Sequence, residues 1–248
     1  MLKSLVSDMV GSEADLQLAV KCQPDQKVFE RIESAGIDAV ELHTNAECLR
    51  KGDIVSICGD FPFSYAVHAP NDIVAPERTF ELAQAVGARL VVTHDMYWED
   101  EWPLVVKAAQ DARIPLAIEN VDGLFTFTKV LLRYEVKRCL DFEHAVFQMQ
   151  GFYPDGLKIV LPETIHVHLT GYNHGNLKYH THFYESPDFA SDVLNFLDNG
   201  YEGMVVSEAS IEYQTEEHFQ KLKDFFDEWE SGRASCRSPS QTHSVEVD

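Results

Sequence analysis

Residues 116–144 read LAIENVDGLFTFTKVLLRYEVKRCLDFEH. Two short apolar runs in this stretch, LAIE and CLD, each end in a carboxylate, Glu119 and Asp141, with loop-like and helix-like sequence between them. Working outward, the same form recurs as AVELH (39–43), YAVHAP (65–70), LVVTHD (90–95), IHVHLTG (165–171) and MVVSEAS (204–210). These runs end at His43, His68, His94, His168 and Glu208. They are continuously apolar and do not alternate, as expected of strands covered on both faces of a parallel sheet. Repeated strand–helix units with chemistry at one strand end predict an α/β fold, a single-domain (β/α)8 TIM barrel, whose strand C-termini converge on one face.

The sequence predicts eight strands near 16–21, 38–43, 64–69, 89–94, 115–120, 138–142, 164–169 and 203–208. Helices are expected in PDQKVFERIESAG (24–36), with Pro24 near its start and Gly36 at its end, and in APERTFELAQAVG (75–87), closed by Gly87. In the final helix, EEHFQKLKDFFDEW (216–229), Phe219, Leu222, Phe225, Phe226 and Trp229 recur at helical spacing and are read as packing. The expected organisation is an N-terminal extension (1–15), a catalytic barrel domain (16–231) and a disordered polar tail (232–248) in which Cys236 and His243 do no chemistry. The insertion 171–187 after the seventh strand falls where barrel loops carry function.

At 248 residues the chain matches one α/β barrel of about 250 residues. Its 15 Phe, 9 Tyr and 3 Trp are ample for a large core, and no apolar run approaches the ~20 residues that span a bilayer. The first ten residues, MLKSLVSDMV, lack an uninterrupted apolar stretch or cleavage site, and the five scattered cysteines contain no CxxC pair. A cytoplasmic protein with free thiols is expected. The net charge of -21 disfavours a nucleic-acid partner, although bound divalent metals could reverse that sign locally. The sequence does not address oligomeric state.

Three motifs point to chemistry. In CLDFEHA, Asp141 and His144 lie three apart at a strand end and could offer oxygen and nitrogen to a borderline metal, though a lone DxxH is also a capped turn with a surface histidine. In HVHLTGYNHGNLKYHTHF (166–183), His166 and His168 share a strand face and His180 and His182 form a second His-x-His. His174 is read as a loop residue and His166 as packed beneath the site. Finally, Glu119 and Glu208 end apolar strands, where a carboxylate is costly unless paired or bound to a cation. With few basic residues on neighbouring strand ends, a metal is the expected partner. Glu41 has the same form and is read as hydrogen-bonding inside the barrel.

Over residues 16–230 the chain resembles the xylose-isomerase-like TIM barrels, which include sugar and sugar-phosphate isomerases and epimerases and endonuclease IV. The carriers are AVHAP, VVTHD, AIEN, CLDFEH, HVHL and NGYEGMVVSE. The isomerase branch implies one divalent ion held by Glu119, Asp141, His168 and Glu208, with Glu119 and Glu208 as catalytic base and acid. The endonuclease IV branch implies a trinuclear site that adds His68, His94, His144, His180 and His182, with His180 standing where that branch has Asp. One to three ions of Zn²⁺, Mn²⁺, Co²⁺ or Fe²⁺ suit such a set. The chain lacks an Arg-rich or aromatic insertion that could flip a nucleotide, which favours a small carbohydrate or sugar-phosphate substrate over an abasic-site or small phosphodiester hydrolase.

Overall fold

The computed structural model describes residues 16–237, apart from Met96, Trp98, 126–127 and 174–177. The expected extension 1–15, His174 and His243 therefore lie outside the described residues. Seven parallel strands follow one another: β1 (Leu16–Cys22), β2 (Ala39–His43), β3 (Ser64–His68), β4 (Val91–His94), β5 (Leu116–Glu119), β6 (Lys137–Asp141) and β7 (Thr164–Leu169). A two-stranded antiparallel hairpin, β8 (Gly171–Asn173) and β9 (Lys178–Thr181), precedes the last barrel strand, β10 (Gly203–Ser207). β1 pairs with both β2 and β10, which closes the barrel. The expected eight-strand barrel is the observed one, and the insertion after β7 supplies the extra hairpin.

Helices α1 (Gln26–Ser34), α2 (Ile54–Gly59), α3 (Pro76–Ala85), α4 (Trp102–Ala112), α5 (Thr128–Tyr134), α6 (Phe142–Met149), α7 (Pro154–Leu157), α8 (Pro187–Leu197) and α9 (Glu216–Arg237) connect and cover the strands. Asp25 caps α1 by accepting the Val28 N–H at 3.0 Å, and Gly36 and Gly87 take positive φ just beyond α1 and α3, where a Cβ would be strained. The last helix continues to Arg237, past the boundary expected at 231, so the backbone at Cys236 is helical rather than tail. No helix among the described residues is long and apolar enough to cross a membrane.

Two apolar regions follow from the two faces of each strand. Outward residues such as Leu18, Val20, Val40, Leu42, Val67 and Val205 pack with the helices in the main core. Inward residues Ala19, Ala39, Ala66, Val92, Ala117, Cys139 and Val206 form a narrow plug inside the barrel. Phe219, Leu222 and Phe226 of α9 are buried, with Phe225 and Trp229 packed against the same core. Phe29 of α1 is fully buried and meets the rings of Phe61 and Phe63 edge-on at 5.4 and 5.5 Å. Truncating Phe29→Ala is expected to cost roughly 3–5 kcal/mol through lost burial and a residual cavity, read as a lowered urea midpoint at unchanged slope.

Candidate functional site

The inward plug determines where the polar residues sit. Two positions beyond each plug residue, on the same strand face, come Lys21, Glu41, His68, His94, Glu119, Asp141 and Glu208. Because the strands are parallel and in register, these side chains meet at the C-terminal mouth: His94 pairs with Glu119, and Asp141 with His168.

Glu119, Asp141, His168 and Glu208 bring one donor atom each within 4.8 Å of one another. His168 is the pivot. Its Nε2–H donates to Glu41 Oε2 at 3.0 Å, which leaves Nδ1 facing Glu208 at 3.3 Å, Glu119 at 3.5 Å and Asp141 at 3.8 Å. That Nδ1 is buried and has no hydrogen-bond partner. A carboxylate that fixes the far nitrogen of a histidine is the usual way to aim the near one at a metal. With metal–ligand bonds near 2.1 Å, neighbouring ligand atoms stand about 3.0–3.4 Å apart; the Glu208 separation falls in that range, and those of Glu119 and Asp141 are wider.

Glu119 also belongs to a second group, with His68 and His94. His68 Nδ1–H donates to the Ala69 carbonyl at 2.9 Å, so the lone pair of Nε2 faces Glu119 Oε2 at 3.1 Å. Two lone pairs opposed in a buried space need a proton or a cation between them. His94 Nε2 lies 3.3 Å from the same oxygen, and His144 Nε2 lies 3.8 Å from Glu119 Oε1. The DxxH motif is both a cap and a donor pair: Asp141 Oδ1 accepts the His144 N–H at 2.7 Å at the start of α6, while Oδ2 faces His168. Asn120 holds the Asp141 backbone from both sides, accepting its N–H at 2.7 Å and donating to its carbonyl at 3.0 Å.

The charge balance is strongly negative. Glu41, Glu119, Asp141 and Glu208 crowd the mouth, and among the described residues Lys21 is the ammonium paired there, with Glu41 and Glu208. Burial pushes the Asp141 carboxyl well above the usual range, and the charges of Glu119 and then Glu208 add to the shift. Glu119 goes the other way: burial opposes its ionisation, but His168 and Lys21 pull it well below the usual range. Burial opposes a charge on His168 too, yet Cys139, Glu41 and Glu119 together raise it well above an ordinary imidazole. Without another cation these shifts favour protons on Asp141 and His168. A divalent ion would replace those protons against the same oxygens, and the mixed nitrogen and oxygen donors suit a borderline metal. The residues fit the ion.

Two of the expected ligands are not brought to this cluster. His182 is buried outside the barrel wall, where Nε2–H donates to the Tyr213 carbonyl at 3.1 Å and Nδ1 accepts from the Ser207 hydroxyl at 2.9 Å. Both ring nitrogens are used, because Ser207 alternates with inward Val206 and points away from the mouth. His180 sits half-exposed on the rim in a left-handed conformation (φ 53°), with Nδ1 3.6 Å from Glu143 Oε2. His166 is fully buried and bonds Glu41 Oε2 at 2.5 Å, beneath the site. His43 lines the adjoining cavity of about 510 Å³, together with Lys21, His180 and Glu208.

Lys21 is a functional residue that the sequence reading does not single out among the few basic residues expected near the strand ends: Nζ donates to Glu208 Oε2 at 2.8 Å and lies 3.6 Å from Glu41 Oε1. The available signal was the same one used for the acids, a charged residue ending an apolar run, LAVKC.

A closed (β/α)8 barrel with a mouth ringed by imidazoles and carboxylates defines the structural class. No protein-family model matches the chain, and no curated protein matches it by sequence. Solved structures do share its fold. A D-tagatose 3-epimerase-like protein superposes with a TM-score of 0.63 at 17% identity, covering 90% of this chain and 100% of its own. A 3-keto-D-glucoside 4-epimerase from E. coli gives 0.61 at 14%, covering 88% and 100%. The IolI protein, with a bound zinc atom, gives 0.63 at 16%, covering 87% and 98%. The fold is therefore a closed (β/α)8 barrel of the kind seen in these solved structures.

His182 gives a test of the wall. Burial holds its ring down at about 4, against an ordinary 6.5. The unfolded chain takes up this proton below about 6.5 and the folded protein only near 4, so the stability is intact above pH 6.5 and drains away as pH falls toward 4. The full effect is on the order of 3 kcal/mol. His182→Ala should flatten that pH dependence in thermal melts, cost roughly 2–3 kcal/mol at pH 7.5, and leave zinc uptake unchanged. A fall in bound zinc without unfolding would restore His182 as a ligand.

Proposed function

We propose that the chain is a divalent-metal-dependent sugar or sugar-phosphate isomerase or epimerase. The observation that carries this reading is the orphaned Nδ1 of His168, aimed at Glu119, Asp141 and Glu208 beside an open cavity. The fold shared with a D-tagatose 3-epimerase-like protein and a 3-keto-D-glucoside 4-epimerase supports it, and the zinc bound to the IolI protein of the same fold supports the use of a divalent metal.

Glu119, Asp141, His168 and Glu208 would hold the ion. When bound, it polarises a carbonyl and steadies negative charge on adjacent substrate oxygens. Glu208 is the carboxylate of this group that lines the cavity, and its side chain is 24% exposed. Although burial opposes its ionisation, Lys21 and His168 hold its carboxyl below the usual range, so it is a ready proton acceptor at neutral pH. It would take the proton from the carbon next to the carbonyl. Glu119, on β5 across the mouth from Glu208, would serve the opposite face, so that one carboxylate gains the proton the other gives. Glu41 and His166 touch no substrate and keep His168 turned toward the acids.

One observation favours a second reading. The His68–His94–Glu119 group could hold another ion, and two ions sharing Glu119 would suit hydrolysis of a phosphoester.

Three measurements separate the readings. Protein purified without chelator should carry about one divalent ion per chain, and Asp141→Ala should lower that by at least about tenfold in affinity. A panel of ketoses and their phosphates in D₂O should show exchange at the carbon beside the carbonyl, reduced about 10³-fold or more in Glu208→Gln. Cleavage of abasic-site DNA or a small phosphodiester, with no exchange on any sugar, would favour the second reading.

A further inference from the structure

The donor set could accommodate either one ion or two. Glu119, Asp141, His168 and Glu208 form one group, His68, His94 and Glu119 form another, and Glu119 is common to both. Among the described residues one ammonium stands with these carboxylates: Lys21, buried on β1. Its Nζ is 2.8 Å from Glu208 Oε2, and that same oxygen is 3.3 Å from His168 Nδ1. The other flank of the ammonium is Glu41 Oε1, 3.6 Å away, which has no hydrogen-bond partner of its own. A fixed positive charge is thus built into the wall of the site and shares a ligand oxygen with it.

We propose that Lys21 limits this centre to a single divalent ion, because its ammonium stands in for a second cation. The inference rests on the reading that these residues bind metal. Four carboxylates and one ammonium leave three negative charges at the mouth. One dication reduces that to one, and a second would make the cluster positive in a buried space, where like charges repel strongly. Without the ammonium, four negative charges would match two dications.

Lys21 thus has a positioning and charge-setting role, read by metal number rather than turnover. The test is a zinc titration of metal-stripped full-length protein, followed by gel filtration and elemental analysis, on the wild type, Lys21→Arg and Lys21→Met. The wild type and Lys21→Arg should saturate at one zinc per chain. Lys21→Met should take two, with affinity for the second raised at least ~100-fold, and adding His68→Ala should return it to one. Lys21→Gln, which keeps a donor for Glu208, replaces Lys21→Met if circular dichroism shows the latter unfolded. Two zincs in the wild type, or one in the folded charge-removing variant, would overturn the proposal. No zinc in any form, the wild type included, would instead overturn the metal reading on which it stands.

Discussion

The mouth of this barrel is organised by a shortage of positive charge. Four carboxylates crowd one mouth while, among the described residues, a single lysine pairs with two of them, Glu41 and Glu208, and burial in a low-dielectric interior makes that imbalance expensive. Most local features answer to it. Asp141 is driven toward its protonated form, His168 toward its doubly protonated form, and His68 turns a lone pair on Glu119. A protein that kept this arrangement only for stability would do better with well-packed apolar side chains. The cost makes sense where a cation supplies what is missing, and the placement of Glu41 shows the supporting layer already built: it accepts from both His166 and His168 and so leaves the upper nitrogen of His168 free to face the acids.

Much of this was legible in the chain itself, for a definite reason. Parallel strands covered on both faces are continuously apolar, so a charged or imidazole residue closing such a run stands out. Glu119, Asp141, His168 and Glu208 could be found that way, and the structure brings them together. The same rule applied to LAVKC marks Lys21, a cation closing an apolar run, whose pairing with Glu208 depends on the closure of β1 onto β10 and is not written in the local sequence. The strand bounds were close because glycine and proline mark the turns. The last helix outran its expected end, since a polar, unpatterned sequence does not by itself stop a helix.

His180 and His182 show where sequence reading reaches its limit. A His-x-His pair on one strand says that two rings share a face, but not which way that face looks. Here the pair lies at the end of an antiparallel hairpin that folds over the rim. The backbone at His180 turns left-handed, sending His182 behind β10 into contact with Ser207 and Tyr213 while His180 stays at the edge of the cavity. Parity along β10 decides the matter: Ser207 and Glu208 are neighbours in sequence and lie on opposite sides of the wall.

The plug of Ala19, Ala39, Ala66 and Ala117 carries a further consequence. These alanines share the barrel interior with the larger Leu90, Met204 and Val206, and the fully buried Glu41, His166 and His168 complete its filling toward the mouth. Breeding this protein for heat tolerance by enlarging its innermost alanines would press directly on the imidazole that aims at the acids, so robustness and chemistry cannot be tuned separately along this axis.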